Sequence, residues 1–199
     1  MSVTKKEIAS LVSDFSIEVT PASAERVEAF ADHLIPGTSI NVTFLPGSSF
    51  TNTIRVSRRI HEEGFKPIPH LAARNFESSK ALEQSLDKLT SYANVEEVLI
   101  IAGGLDSPLG PYHSTMQILG SGLLEKYSIK KIGIAGHPEG SPDISNSDID
   151  AALNDKNAWA RNTDIEVYIA TQFCFEASVI LDWEARIKKL GNTLPIHIG

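Results

Sequence analysis

The run FSIEVTP, residues 15–21, decides between the two folds this chain could adopt. Ile17 and Val19 make it a strand, and Thr20-Pro21 leads straight into a helix. An open dinucleotide-binding sheet would carry a Gly-rich phosphate turn after its first strand. No G-x-G-x-x-G stands here. Six further short runs rich in β-branched residues follow: SINVTFL (39–45), KPIPHLA (66–72), EEVLIIAG (96–103), KKIGIAG (130–136), EVYIATQF (166–173) and LPIHIG (194–199). Helical spacing fills the intervals. In 51–64, Ile54, Val56 and Ile60 form an apolar side against Arg55, Arg58, Arg59 and Glu62. Leu82, Leu86 and Leu89 recur at i, i+4, i+7, and the stretch 175–191 closes on Lys188, Lys189 and Gly191, as a helix C-terminus does. Strands that are apolar almost throughout, joined by helices, predict a parallel sheet buried on both faces.

Polar residues sit at or just past the C-terminal ends of these strands: Glu18, Thr43, His70, Asp106, His137 with Glu139, and Gln172. Barrel enzymes place their chemistry there, so the sequence predicts an α/β fold, a (βα)₈ TIM barrel. Seven strands are visible where eight are needed. The expectation is one barrel domain over residues 1–199, incomplete at its C-terminus. The eighth position would be lost by truncation, or filled by the N-terminal segment or a second chain.

Composition narrows the function. Of 199 residues, 42% are apolar and 22% charged, with a net charge of -7 and no basic stripe, which argues against nucleic acid as a partner. No apolar run approaches the roughly 20 residues of a membrane span, and the N-terminal 15 residues lack a signal peptide's apolar core. Cys174 is the single cysteine, so intrachain disulfides and cysteine-rich zinc sites are excluded, and it reads as packing. The cytoplasm is the expected location, and no residue pattern calls for a metal.

The strand-end residues suggest chemistry. A carboxyl inside a strand buried on both faces is desolvated, which raises its pKa and makes Glu18 a general-acid candidate. Residues 43–49 read either as caps for the next helix or as a ligand-contacting loop. His70 ends the third strand. The glycines of the turn 102–108, ahead of Asp106, permit a close backbone approach. Gln172, expected to be buried among aromatics, would offer its amide to a heterocycle. In AGHPEGSPDI, 135–144, two prolines and two glycines hold His137 and Glu139 just past the fifth strand.

Taken in order, S-I-E-V-T-P, N-V-T-F, P-H-L, the Gly-rich turn with Asp106, G-H-P-E-G-S-P and A-T-Q-F resemble the strand ends of the methylenetetrahydrofolate reductase family, from about residue 15 to the C-terminus. The resemblance implies a flavin enzyme on a TIM barrel. FAD takes hydride from NADH or NADPH and passes it to 5,10-methylenetetrahydrofolate, giving 5-methyltetrahydrofolate in one-carbon metabolism. By the same resemblance Glu18 is the catalytic acid that also meets the folate, and Asp106 the acidic residue near flavin and pterin. Thr43, His70, Gly104, Asp106, His137, Glu139, Ser141 and Lys156 are FAD-side positions, and Gln172 contacts folate. A homo-oligomer is expected.

Three positions depart from the family pattern. His137 stands where a tyrosine is usual, Ser141 where a histidine is, and Gly103 where an arginine is. They motivate an alternative: a folate-binding or regulatory paralogue that has lost flavin chemistry.

Overall fold

A computed structural model describes residues 3–45 and 47–199. After a short helix α1 (Lys5–Leu11), strands and helices alternate. They are β1 (Ser16–Val19), α2 (Pro21–Ala24), β2 (Ser39–Val42), α3 (Phe50–Glu62), β3 (Lys66–Ala72), α4 (Ser79–Ala93) and β4 (Glu97–Ile101). Then come α5 (Thr115–Leu119), α6 (Leu123–Lys126), β5 (Lys131–Gly136), α7 (Asn146–Ala160), β6 (Glu166–Thr171), α8 (Ala177–Lys189) and β7 (Ile196–His197).

All strand pairs are parallel, and the sheet runs β1-β2-β3-β4-β5-β6-β7 in chain order. A doubly wound sheet reverses its order at a switch point; this one never does. The pairing is also staggered. The first half of β3 pairs with β2 at Lys66–Pro69, and its second half pairs with β4 at His70–Ala72. Stagger of this kind tilts strands and closes barrels. Asp14, two residues before β1, lies close enough to β7 for its charge to act on His197, so the sheet has curled. The fold is a TIM barrel with seven of its strands present among the described residues. The N-terminal segment does not fill the eighth place: residues 5–11 are helical and take no part in the sheet.

Alternation along each strand separates two faces. Ile40 and Val42 pack with Val56 and Ile60 of α3 in a smaller core, while Val98, Ile100, Ile132, Ile134 and Ile169 join Leu82, Leu86 and Leu89 of α4 in a larger one. The residues between them face the lumen: Glu18, Asn41 and Ile68 follow one another in register across β1, β2 and β3, and His70, two residues on from Ile68, begins a second run with Leu99, Gly133 and Tyr168. The strands are therefore not apolar throughout, as the sequence reading had them; the lumen face is mixed.

Arg59, expected on the polar face of α3, works inward instead. Its guanidinium donates to the carbonyls of Ala24, Val27 and Glu28 and to the Glu63 carboxylate, and it lies 5.2 Å over the Phe30 ring. That clip holds the long β1–β2 connection against α3. No helix among the described residues is long and apolar enough to cross a membrane.

Candidate functional site

The strand-end residues singled out from the sequence lie at the C-terminal side of the sheet, Lys156 lies within α7, and together they do not form one cluster. The tightest group sits on β1, β2 and β3. His70 is buried, with 4% of its surface exposed. Its Nε2 lies 3.4 Å from Asn41 Oδ1 and 3.8 Å from Glu18 Oε2. Burial lowers the imidazole pKa to about 4 against a smaller upward pull from the Glu18 charge, so His70 is neutral at physiological pH.

Glu18 corrects an expectation. Its side chain is 60% exposed, not desolvated. The cause is position: β1 pairs on one side only, with β2, and the lumen beside it is open. Gln172 is a second correction. It is exposed, its Oε1 accepts only from the next residue's N–H at 3.3 Å, and the neighbouring Phe173 and Phe175 are 64% and 87% exposed. The aromatics expected to bury Gln172 pack edge to face on each other in solvent. Cys174, between them, is half-buried, and its thiol faces the Glu176 carbonyl at 3.7 Å.

A second group joins β5 to α7. Lys156 is buried, 9% exposed, and forms no ion pair or hydrogen bond among the described residues. Burial pulls its pKa down, and its charge adds to burial in pulling His137 down too. The loop that carries His137 turns tightly: Gly140 N–H donates to the His137 carbonyl at 3.1 Å, with Gly140 at a φ of +78° that a side chain would resist. Glu139 is exposed on this turn, and Ser141 Oγ accepts from Asp143 N–H at 3.3 Å, which fixes the loop's exit.

Thr43 follows β2, its N–H bound to the Val19 carbonyl at 2.9 Å, while its Oγ1 is buried with no partner. Of the two readings of 43–49, capping accounts for Ser49, whose hydroxyl accepts from Thr51 N–H; Pro46 lies outside the described residues. Ser48 and Ser49 also line a cleft of about 410 Å³ with Phe50, Asn75, Phe76 and Leu109, which contains none of the predicted site residues. Gly104 and Asp106 are exposed on the β4–α5 loop. Arg74 ties that loop down by donating to the carbonyls of Leu105 and His113. Gly103 has a φ of +92°, and a Cβ there would lie 2.9 Å from Asn75 Oδ1, so no arginine fits at this position.

Sequence reasoning missed Asn41. The signal was available: in Ser39-Ile40-Asn41-Val42-Thr43 polar and apolar residues alternate strictly, which places Asn41 on the same face as Thr43.

A flavin dinucleotide needs cationic or N–H partners for its diphosphate and hydroxyl or amide partners for the rest. The unpaired Lys156 and the orphaned Thr43 hydroxyl fit such a group. No family model matches the chain. It is similar to a xylose isomerase domain protein from Planctomyces limnophilus, at 10% identity and a TM-score of 0.35, over 94% of this chain and 62% of that one.

Proposed function

We propose that the chain acts as an FAD-dependent reductase that converts 5,10-methylenetetrahydrofolate to 5-methyltetrahydrofolate with NADH or NADPH. The observation that carries this reading is Lys156: it is 9% exposed, burial pulls its pKa down, and among the described residues it has no ion pair, so an anion near the β5 loop would meet a cation that the chain leaves free. The ordered strand-end motifs supply the rest. When bound, FAD would supply hydride transfer between the nicotinamide and the folate. Lys156 would hold its phosphates and the Thr43 hydroxyl would donate to it.

Glu18 would hold the proton that folate ring opening consumes. In the open lumen its carboxyl is hydrated. A ligand laid across the lumen mouth would exclude that water and bring the carboxyl into direct contact with the substrate.

Glu18→Gln tests this. NAD(P)H oxidation by the FAD-loaded variant is expected to persist, because it consumes no proton from Glu18, while 5-methyltetrahydrofolate formation falls by roughly 10²–10⁴-fold. Equal slowing of both would make Glu18 structural, and wild-type product formation would remove it from the reaction.

A second reading, folate binding without flavin, is favoured by Gly103, whose surroundings leave no room for the arginine of the family pattern. Titration with a reduced folate in the presence and absence of FAD separates the two: folate binding indifferent to FAD selects the second.

A further inference from the structure

Asn41 lies opposite Glu18 in the β1–β2 register, and its amide stands between two neighbours. On one side Nδ2 is 3.3 Å from Ser16 Oγ; on the other Oδ1 is 3.4 Å from His70 Nε2. Two proton arrangements satisfy these distances in isolation. Either Nε2 carries the hydrogen and donates to Oδ1, or the amide is turned and donates to a bare Nε2.

Glu18 decides between them. Its Oε2, 3.8 Å from Nε2, is an acceptor that would repel a ring lone pair but attracts a ring N–H. Nε2 therefore carries the hydrogen, Oδ1 faces it, and Nδ2 is left to donate to Ser16 Oγ, 3.3 Å away. The Ser16 hydroxyl can donate or accept and so fits either orientation; the direction is set by Glu18.

We infer that Asn41 is a positioning residue that holds the His70 imidazole in its Nε2–H tautomer, so that His70 offers the site the lone pair of Nδ1. The ligand group that meets His70 is then an N–H or O–H donor. Burial, which keeps the ring neutral at pH 7, ensures that only one ring proton is present to be placed. This deepens the reductase reading by stating what His70 asks of its ligand. It rests on that reading only for the ligand's identity; the tautomer is a property of the protein alone.

The test uses the ligand-free full chain, labelled with ¹⁵N in histidine, and long-range ¹H–¹⁵N spectra at pH 7. In wild type, His70 is expected to show a protonated Nε2 and a lone-pair Nδ1. Asn41→Leu, which removes the nearer acceptor, should raise the Nδ1–H share several-fold. Asn41→Asp, which restores an acceptor, should return the ring to Nε2–H. A wild-type ring that is mainly Nδ1–H overturns the inference, whether or not the variants fold. So does an Asn41→Leu spectrum identical to wild type, which would leave the tautomer to Glu18 alone. Loss of FAD or folate binding would contradict the reductase reading without touching this result.

Discussion

The two ends of the lumen treat their polar groups in opposite ways. At the N-terminal end, Glu97, Lys131 and Glu166 lie side by side in register on β4, β5 and β6, with the Lys131 ammonium 3.9 and 3.7 Å from the two carboxylates and 4.9 Å over the Tyr168 ring. Tyr168 stacks on His197 at 4.1 Å, and burial, with the Glu97 charge behind it, pushes its phenol above the ordinary range. Each charge there has an opposite neighbour. Toward the C-terminal end Thr43 Oγ1 has no partner among the described residues, His70 is too deeply buried to carry a proton at neutral pH, and Lys156 on α7 has no ion pair among the described residues. The charges at the first end are met by the chain itself; at the second, the Thr43 hydroxyl is not met by any described residue. Paired charges hold a fold together, and a polar group left without a partner is a candidate for ligand contact.

The largest expected effect is at the unsatisfied end. His70 has a folded pKa of about 4 against an ordinary value of 6.5, so its contribution is fully present above pH 6.5. It is lost as pH falls toward 4, by up to about 3 kcal/mol. Denaturant midpoints across that window should fall steeply in wild type and less in His70→Gln; equal slopes would mean that another group controls the loss. Next comes Gly133, between Leu99 and Tyr168 at the floor. A Cβ there would lie 2.6 Å from Leu99 Cδ1 and 2.8 Å from the Tyr168 ring, so Gly133→Ala should cost about 1–3 kcal/mol in chemical unfolding. Lys131→Met should cost about 1 kcal/mol, since it leaves Glu97 and Glu166 facing each other across the gap, and the cost should shrink in high salt. Lys156→Met sharpens the contrast because its sign is reversed. Removing the charge of a largely buried lysine that has no ion pair among the described residues should stabilise the ligand-free protein by about 0.5–2 kcal/mol, read as a higher midpoint. A destabilised Lys156→Met would mean that the ammonium has a partner after all.

Much of the fold was legible because it depends on order and period. The missing phosphate turn after 15–21 and the seven apolar runs led to the barrel, and the i, i+4, i+7 leucines of α4 are all fully buried. What stayed hidden depends on exposure and on neighbours across the sheet. Glu18 looked desolvated because its strand looked two-sided, yet β1 lies at an open edge of the sheet. Gln172 was judged by the aromatics beside it in sequence, which the chain turns outward. Asn41 was passed over because its strand was read as uniformly apolar, although its strict alternation was in plain view. Arg59 was assigned to solvent by helical phase, which cannot report the three carbonyls that the β1–β2 connection brings to it.

Flavin titration of wild type and Lys156→Met, followed by quenching of flavin fluorescence, is the most direct test of the claim that the unpaired end is built for a phosphate-bearing flavin. Wild type should bind FAD more tightly than riboflavin, which has no phosphates. Lys156→Met should weaken FAD by about tenfold or more, as loss of one charge-assisted contact does, and leave riboflavin unchanged. A wild-type protein that binds neither flavin, or a Lys156→Met protein that binds FAD as wild type does, would contradict the account.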